Sequence, residues 1–597
     1  MQGFSDRFAG KVRAIVVASA AALLPAPLAS AQITLTNATS SAGLTFTHQP
    51  DSVCIGFQTY MTAGLAVGDV NGDDLPDIFV VGGGLVADRL YLNDGDGTFT
   101  NAAVAWGLTA LHGGNGASMA DYDDDGDLDI YVTSFGLAGQ PGQPGKHRLY
   151  KNNGSAFVEV AVAAGCNYTT LNSVATGYGS AWGDYDLDGD LDLCVVSWKD
   201  TLGLGNNGTG NRLFQNDGDG TFTDVTSTAI GTGFQGAWGF QAAFVDMDGD
   251  RYPEILLAAD FQTSRYLRNN RDGTFTNFTV ASGTGLDDNG MGQTVADFNN
   301  DGLLDWYVTS IFEDNPAKGD YTGNTLYMNQ GDHSYLEVAS AAGVSDGGWG
   351  WGTLAIDFDH DGWDDIVEIN GREAVGGEWT NERGYLWRNN ADDTFTEMGI
   401  EAGFDHVGSG RAMGYLDIEP DGDLDFVMTV NAQPILIYRN EAPAPDQGGG
   451  NWLQLAFDTS GNDLLPPNGF GTRVTLLAGK LQRSRYFSAS PSYLATSEPI
   501  LHFGLGPEAV IDEITIDWSR GYTTTLTNIA ANQRLTISAP GVADFNADGT
   551  VGAADLAELL ATWGDCTPGP LGPCLTDLNL DGSVNAADLG EVLANWG

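Results

Sequence analysis

Seven times in this chain, oxygen-bearing side chains recur at positions 1, 3, 5 and 9 of a nine-residue stretch on the template D-x-[DN]-x-D-G-x-x-D. Numbered one to seven, the sets are Asp69, Asn71, Asp73 and Asp77; Asp121, Asp123, Asp125 and Asp129; Asp184, Asp186, Asp188 and Asp192; Asp246, Asp248, Asp250 and Glu254; Asp297, Asn299, Asp301 and Asp305; Asp357, Asp359, Asp361 and Asp365; and Asp417, Glu419, Asp421 and Asp425. Calcium takes about six to eight oxygen ligands, which a tight loop can supply from these side chains and the carbonyl of position 7. Glycine at position 6 lets the backbone turn sharply. Loops one and four replace it with Asp74 and Arg251. Arginine tolerates positive φ less well than aspartate, so loop four is expected to be the weakest.

Two further loops near the C-terminus have a 12-residue spacing. The first offers Asp544, Asn546, Asp548, Thr550 and Asp555, and the second Asp577, Asn579, Asp581, Ser583 and Asp588. Positions 1, 3, 5 and 12 carry side-chain oxygens, position 6 is glycine, and position 7 gives its carbonyl. About nine structural Ca2+ ions are therefore expected. Without cations the crowded carboxylates would repel one another, so the metal-free chain is expected to be loosened.

The elements that position the nine-residue loops are strands. Each loop runs at once into an apolar segment such as Ile78-Phe79-Val80 or Ile130-Tyr131-Val132. A second segment follows seven times, as in Leu90-Tyr91-Leu92-Asn93, Leu213-Phe214-Gln215-Asn216 and Ile437-Tyr438-Arg439-Asn440. Six of these lead into a further short strand such as Thr98-Phe99-Thr100, but the seventh does not. Ile33 to Asn37, followed by Ser41 to Leu44, matches that missing piece. The mature N-terminus is thus expected to complete the seventh unit, so the predicted fold is mainly β: a seven-bladed propeller closed by its N-terminal strand.

Composition agrees. Glycine is frequent at 82 residues, and Lys plus Arg number 25 against 79 acids, for a net charge of −54. That balance argues against a nucleic-acid partner. The acids are not evenly dispersed, since each nine-residue set takes three or four of them. Residues 1–31 read as a signal peptide, with Arg7, Lys11 and Arg13 before an apolar run and Ala29-Ser30-Ala31 as the cleavage site. Secretion to the extracellular space or cell surface, with no transmembrane segment in the mature chain, is the expectation. Cys566 and Cys574 are a plausible disulfide; Cys54, Cys166 and Cys194 are an odd set.

The seven acidic loops with their Leu-Tyr-x-Asn strands resemble the FG-GAP (VCBS-type) repeat of integrin-α-like propellers over residues 32–440. After a linker at 441–450, residues 451–539 resemble the ASPIC/UnbV domain of cartilage acidic protein-like chains. Gly469-Phe470-Gly471-Thr472-Arg473-Val474, Tyr493-Leu494, His502-Phe503-Gly504-Leu505-Gly506 and Asn532-Gln533 carry that likeness. The usual Trp-Pro-Ser-Gly turn is altered to Trp518-Ser519-Arg520-Gly521. The resemblance implies a small β domain of poorly defined activity. His502 and Trp518 could line a site in it, and the favoured reading is that they are structural. Residues 540–597 resemble a small α-helical GC-type dockerin-like module, each 12-residue loop leading into a helix. Cohesin-binding dockerins read their partner through positions 10 and 11, here Ala553-Ala554 and Ala586-Ala587.

No catalytic constellation stands out. Gly343 to Gly347 fits G-x-S-x-G but does not lie at a strand-to-helix turn. His360 is expected at an outward position of loop six. The favoured reading is a secreted, non-catalytic calcium-binding adhesion or ligand-binding protein. It would present its loop face to an extracellular protein or glycan and be tethered through the dockerin-like module to a cohesin-like or cell-surface partner. The other reading is a component, lyase or hydrolase, of an extracellular polysaccharide-degrading system, for which His147, Arg148 and Lys151 would have to converge.

Overall fold

The computed structural model describes residues 33–50, 60–137, 146–169, 174–198, 210–314, 321–372, 379, 382–488, 492–566 and 574–597. The signal-peptide reading and Cys54 lie outside these residues. The chain is mainly β.

Each acidic loop joins the first two strands of a four-stranded antiparallel unit, and the position-9 acid is the first residue of the second strand in all seven. Sheet one is typical, with Leu65–Gly68, Asp77–Val80, Arg89–Asn93 and Phe99–Asn101 paired in sequence order. Sheet seven takes Gly410–Leu416, Asp425–Val430 and Leu436–Asn440 from the far end of this region. Its fourth strand is Leu35–Asn37, with Leu35 opposite Asn440 and Asn37 opposite Tyr438. The N-terminal segment therefore completes the seventh unit, as its sequence predicts.

The first strands of sheets one to four and of sheets five to seven neighbour one another in order, Gln293 of sheet five donates to the Gln241 carbonyl of sheet four at 3.3 Å, and Gly410–Leu416 of sheet seven returns against Leu65–Gly68 of sheet one. They are buried on both faces, which is why they read as small and apolar rather than alternating. In five of them the register shifts where the neighbouring first strand crosses close by. At Gly116 and Gly352 a Cβ would collide with the Tyr178 and Arg411 carbonyls of the next sheet, so only glycine fits the bulge.

Beyond Asn440 the chain forms two more sheets. One orders Leu501–Gly506, Asn451–Asp458 and Gln533–Ser538; the other orders Leu481–Tyr486, Arg473–Ala478, Val510–Asp517 and Thr523–Ala530. The two terminal loops lead into helices Ala553–Ala561 and Ala586–Ala594. Leu559 and Val592 from these helices join Trp518, Phe503 and Ile514 in one apolar core, so the terminal module packs on the second β unit. Cys566 and Cys574 form a disulfide, while Cys166 and Cys194 are buried free thiols.

Candidate metal centres

The local geometry of the nine-residue loops repeats closely. The position-1 carboxylate folds back to accept the N–H groups of positions 5 and 6; in loop two, Asp125 and Gly126 donate to Asp121 at 3.1 and 2.9 Å. The position-9 acid accepts the N–H of position 2, as Asp129 does from Tyr122 at 3.3 Å. Position 6 takes positive φ in every loop, including Asp74 at 65° and Arg251 at 78°. Position 4 does so as well, from Gly72 and Gly249 to Leu187 at 61° and His360 at 56°. This second left-handed residue was not foreseen, because its residue types vary. Loop four, despite Arg251, keeps the same hydrogen bonds: Asp250 and Arg251 donate to Asp246 at 3.0 Å each.

In loops two, three, four and six, three carboxylates each bring one oxygen to within 4.8 Å of the others; these are Asp121, Asp123 and Asp129; Asp184, Asp186 and Asp192; Asp246, Asp248 and Asp250; and Asp357, Asp359 and Asp361. In the same four loops the Oδ1 of position 3, on Asp123, Asp186, Asp248 or Asp359, is buried without a hydrogen-bond partner. A buried anionic oxygen that no protein donor satisfies is costly, and a cation at the loop centre would satisfy it. Burial, reinforced by the crowded charges, pushes Asp129 up to about 9 and Asp186 and Asp361 up to about 7. These clusters could hold a metal ion. In loops one and five, Asn71 and Asn299 instead donate to Asp73 and Asp301 at 3.0 Å.

Basic side chains divide the loops. Lys151 pairs with Asp123 and lies 3.2 Å from Asp125; Arg388 pairs with Asp359 at 2.9 Å; Arg439 pairs with Glu419 at 2.7 Å; Arg271 pairs with Asp250. His333 Nε2 sits 3.1 Å from Asp248. Loop three has an uncharged neighbour, Gln215, whose amide donates to Asp186 at 2.7 Å.

The asparagine that ends each third strand has a role the sequence did not announce. Its backbone N–H donates to the position-9 acid of its own loop, as Asn152 does to Asp129 at 2.7 Å. Its side-chain amide donates to the position-2 carbonyl of the preceding loop. The series runs Asn152 to Val70, Asn216 to Tyr122, Asn269 to Tyr185, Asn329 to Met247, Asn389 to Phe298 and Asn440 to Phe358, at 2.8 to 3.0 Å.

The two 12-residue loops share this grammar. Asp544 accepts from Asp548 and Gly549 at 3.1 and 2.9 Å, and Asp577 from Asp581 and Gly582 at 3.3 and 3.0 Å. Asp555 and Asp588 at position 12 accept the position-2 N–H groups of Phe545 and Leu578 at 3.0 and 2.8 Å. Asn546 and Asn579 each donate to the position-5 aspartate at 3.1 Å. Thr550 and Ser583 stay at the surface, bonded to Asp548 and Asp581.

The second β unit sits on the loop side of the sheets. Gln454 donates to Asp417 at 2.9 Å, Arg473 to the Asp246 carbonyl at 2.9 Å, and Arg483 to Asp364 at 2.9 Å and to Asn300. Arg520 reaches the Leu187 carbonyl at 3.2 Å and the Asp577 carbonyl at 3.3 Å. Loops three to seven are thus contacted from above, so the loop face is not freely presented as the sequence reading supposed. Arg520, where the Trp-Pro-Ser-Gly turn is altered, ties loop three to the second terminal loop. His360 is buried rather than outward, its ring 5.0 Å from that of His502. Trp518 is fully buried, donating to Thr524 at 3.0 Å.

One segment goes further. Residues 492–498 run against the first strands, where Ala495 pairs in parallel with Leu65. The Leu494 carbonyl accepts from Leu65 and Ala117 at 3.3 and 3.2 Å, and its N–H donates to Gln241 at 3.2 Å. Thr353 and Tyr415 donate to Ser492 and Ser497 at 3.0 and 3.2 Å. Five of the seven sheets hold this plug.

The basic cluster that polysaccharide chemistry would need does not assemble from His147, Arg148 and Lys151. His147 accepts the Ser134 N–H at 2.9 Å and meets Thr169 at 3.2 Å, whereas Lys151 lies on loop two. Gly343 ends a one-turn helix, which leaves the G-x-S-x-G match without its required turn.

Seven repeated sheets with acidic loops and a capping β unit define the class, an FG-GAP-like repeat protein with an ASPIC/UnbV domain. The model of the FG-GAP-like repeat matches residues 69–132, 197–257 and 246–308, and that of ASPIC and UnbV matches residues 464–543. Among individual proteins, the chain is similar to cartilage acidic protein 1 of Xenopus tropicalis, at 23% identity over 509 residues, covering 71% of this chain and 73% of the relative. The Homo sapiens protein of that name is 26% identical over 271 residues, covering 43% of this chain and 37% of the relative. Among solved structures, two rhamnogalacturonan lyases, one from Bacillus licheniformis, align with TM-scores of 0.37 and 0.36 at 14% and 15% identity, covering 64% of this chain and 72% of each. Those scores are too low to equate the folds.

Proposed function

We propose that the chain is a secreted, non-catalytic, calcium-binding ligand-binding or adhesion protein: a closed seven-bladed propeller capped by its ASPIC/UnbV domain and tethered through a dockerin-like terminal module. The observation that carries the metal reading is the coincidence, in four loops, of three convergent carboxylates with an unsatisfied buried oxygen at position 3. An all-oxygen set in a turn with two left-handed residues suits a hard cation such as Ca2+. The contact of the last sheet's first strand with that of sheet one and the pairing of Leu35–Asn37 with Leu436–Asn440 support closure. Among the described residues no helix is long and apolar enough to cross a membrane. Because the second β unit lies over five loops, ligand binding is assigned to the opposite face, and calcium acts as a structural ion. Calcium titration of chelated protein, followed by calorimetry and metal analysis, tests this. Uptake of several equivalents with an upward thermal shift is expected, and no uptake refutes it.

A further inference from the structure

Among the described residues, loop four is the acidic loop whose carboxylate cluster takes in a histidine. The histidine comes from a hairpin turn of the next sheet. In the turn between third and fourth strands, the residue two before the aromatic that opens the fourth strand is Gly97 in sheet one, Gly220 in sheet three, Gly273 in sheet four and Asp393 in sheet six. In sheet five it is His333. The fold sets this turn residue over position 3 of the preceding loop: a Cβ on Gly97 would lie 2.7 Å from Oε1 of Glu419 in loop seven. The His333 ring accordingly reaches Asp248, position 3 of loop four, with Nε2 3.1 Å from Oδ2. His333 does so from a left-handed φ of 53°, which glycine adopts at the equivalent turns without steric cost.

Asp248, Glu254 and His333 each bring one ligand atom to within 4.8 Å of the others. The Glu254 oxygens accept the Met247 and Asn269 N–H groups at 3.0 and 3.3 Å, which orients the carboxylate and leaves each oxygen a further lone pair. Asp248 Oδ1 is buried without a partner. On the other side of the ring, His333 Nδ1 lies 2.8 Å from the Tyr266 hydroxyl. With its proton on Nδ1, the ring donates to Tyr266 and points the Nε2 lone pair at the carboxylates, as metal-ligating histidines are held. The rings of Tyr266 and Phe278 pack edge-on against His333 at 5.8 and 5.9 Å and fix its plane. Arg271 meanwhile pairs with Asp250 and lies 3.7 Å from Asp248, so position 5 is already engaged. The His333 and Asp248 side chains are 13% and 16% exposed, so an ion can reach them from solvent.

We propose that loop four takes a borderline-soft divalent ion of the Zn2+ class in preference to Ca2+, ligated by His333 Nε2 with the carboxylates of Asp248 and Glu254. Zinc accepts imidazole nitrogen and carboxylate oxygen at about 2.0–2.2 Å, and three protein ligands with a water complete its shell. Calcium wants about six to eight oxygens, and Arg271 holds one that loop four would have to give. The contact of His333 with Asp248 is then the metal-free form of the site, in which a proton stands where the ion would be. The proposal rests on the metal reading above and changes the ion at one loop, through a residue outside the nine-residue pattern.

The full chain, dialysed in millimolar calcium with micromolar zinc and analysed for bound metal, tests it. One equivalent of zinc should be retained beside calcium. Tyr266→Phe, which removes the ring's anchor but no ligand, should weaken zinc binding by about tenfold. His333→Gly should weaken it further and lose the zinc equivalent. Its calcium content and calcium-induced thermal shift should stay as in wild type, because glycine fits this turn. Asp123→Asn, at loop two, should leave zinc unchanged. Cobalt in place of zinc should give a visible absorption band that His333→Gly abolishes. Calcium uptake with no zinc retained, or equal zinc in wild type and His333→Gly, would overturn the proposal and leave the calcium reading standing. Uptake of neither metal refutes both.

Discussion

The side-chain amide of Asn93, at the end of the third strand of sheet one, donates 3.2 Å to the carbonyl of Ile418 in the last acidic loop. It is the seventh member of the series in which each sheet's asparagine reaches the loop before it, and it spans the junction between the first and last sheets. Asn93→Ala should therefore cost about as much as Asn216→Ala at an internal junction, about 1–3 kcal/mol for each buried carbonyl left unpaired. Urea melts of the two variants compare them. An Asn93 variant as stable as wild type beside a destabilised Asn216 variant would show that the first and last sheets are not held together in this way.

Calcium should raise the melting temperature and EGTA should lower it. Each occupied loop adds about 2.7 kcal/mol at a hundredfold excess of ion over its Kd, provided the unfolded chain does not bind. Loops whose carboxylates already hold Lys151 or Arg388 should fill last, since that side chain must leave. Lys151→Met should tighten uptake at loop two, and isothermal titration against wild type measures the change.

Arg483 and Asp364 form a pair whose side chains are each 1% exposed, across the junction of the two β units. Removing one partner leaves a buried charge, so Arg483→Met should destabilise by about 3 kcal/mol. Adding Asp364→Asn should recover part of that loss, and a double-mutant cycle in guanidinium isolates the coupling. Arg485 also contacts Asp364, so the recovery should be incomplete.

Glu382 supplies a pH dependence away from the metal loops. Burial, with Asp346 nearby, raises its carboxyl to about 7, and Glu368 adds a further negative neighbour. The folded state thus holds this proton more tightly than the unfolded chain. Stability from this group is fully present below its unfolded pKa and is lost as pH rises through about 7. Glu382→Gln removes the effect. In constant calcium the variant should gain on wild type by about 1–2 kcal/mol between pH 4 and 8, a figure reduced for partial exposure. Equal pH profiles would show that Glu382 ionises freely.

The acidic loops were legible because every oxygen-bearing position of a loop lies within nine or twelve residues, and loop geometry is local. The fourth strand of sheet seven was legible for another reason: Ile33 to Asn37 repeats a pattern found six times elsewhere. What stayed hidden depends on distant pairs. Nothing in Leu-Tyr-x-Asn says that the asparagine reaches the preceding loop, although its sevenfold repetition marks it. Position 4 escaped notice because Leu187, His360 and Pro420 share no chemistry, only a backbone angle. His360 was misplaced because its partner His502 is far away in sequence. The same holds for the segment from Ser492 to Glu498, whose setting comes from five sheets at once.

The plug also bears on the order in which the molecule is built. Ser492 to Glu498 are synthesised after all seven sheets, yet they end against the first strands of five of them. A chain interrupted before Ser492 would leave backbone groups at Leu65 and Ala117 without the carbonyl they bond in the finished protein. Completion of the C-terminal third is in this sense the last step in satisfying sheets made before it.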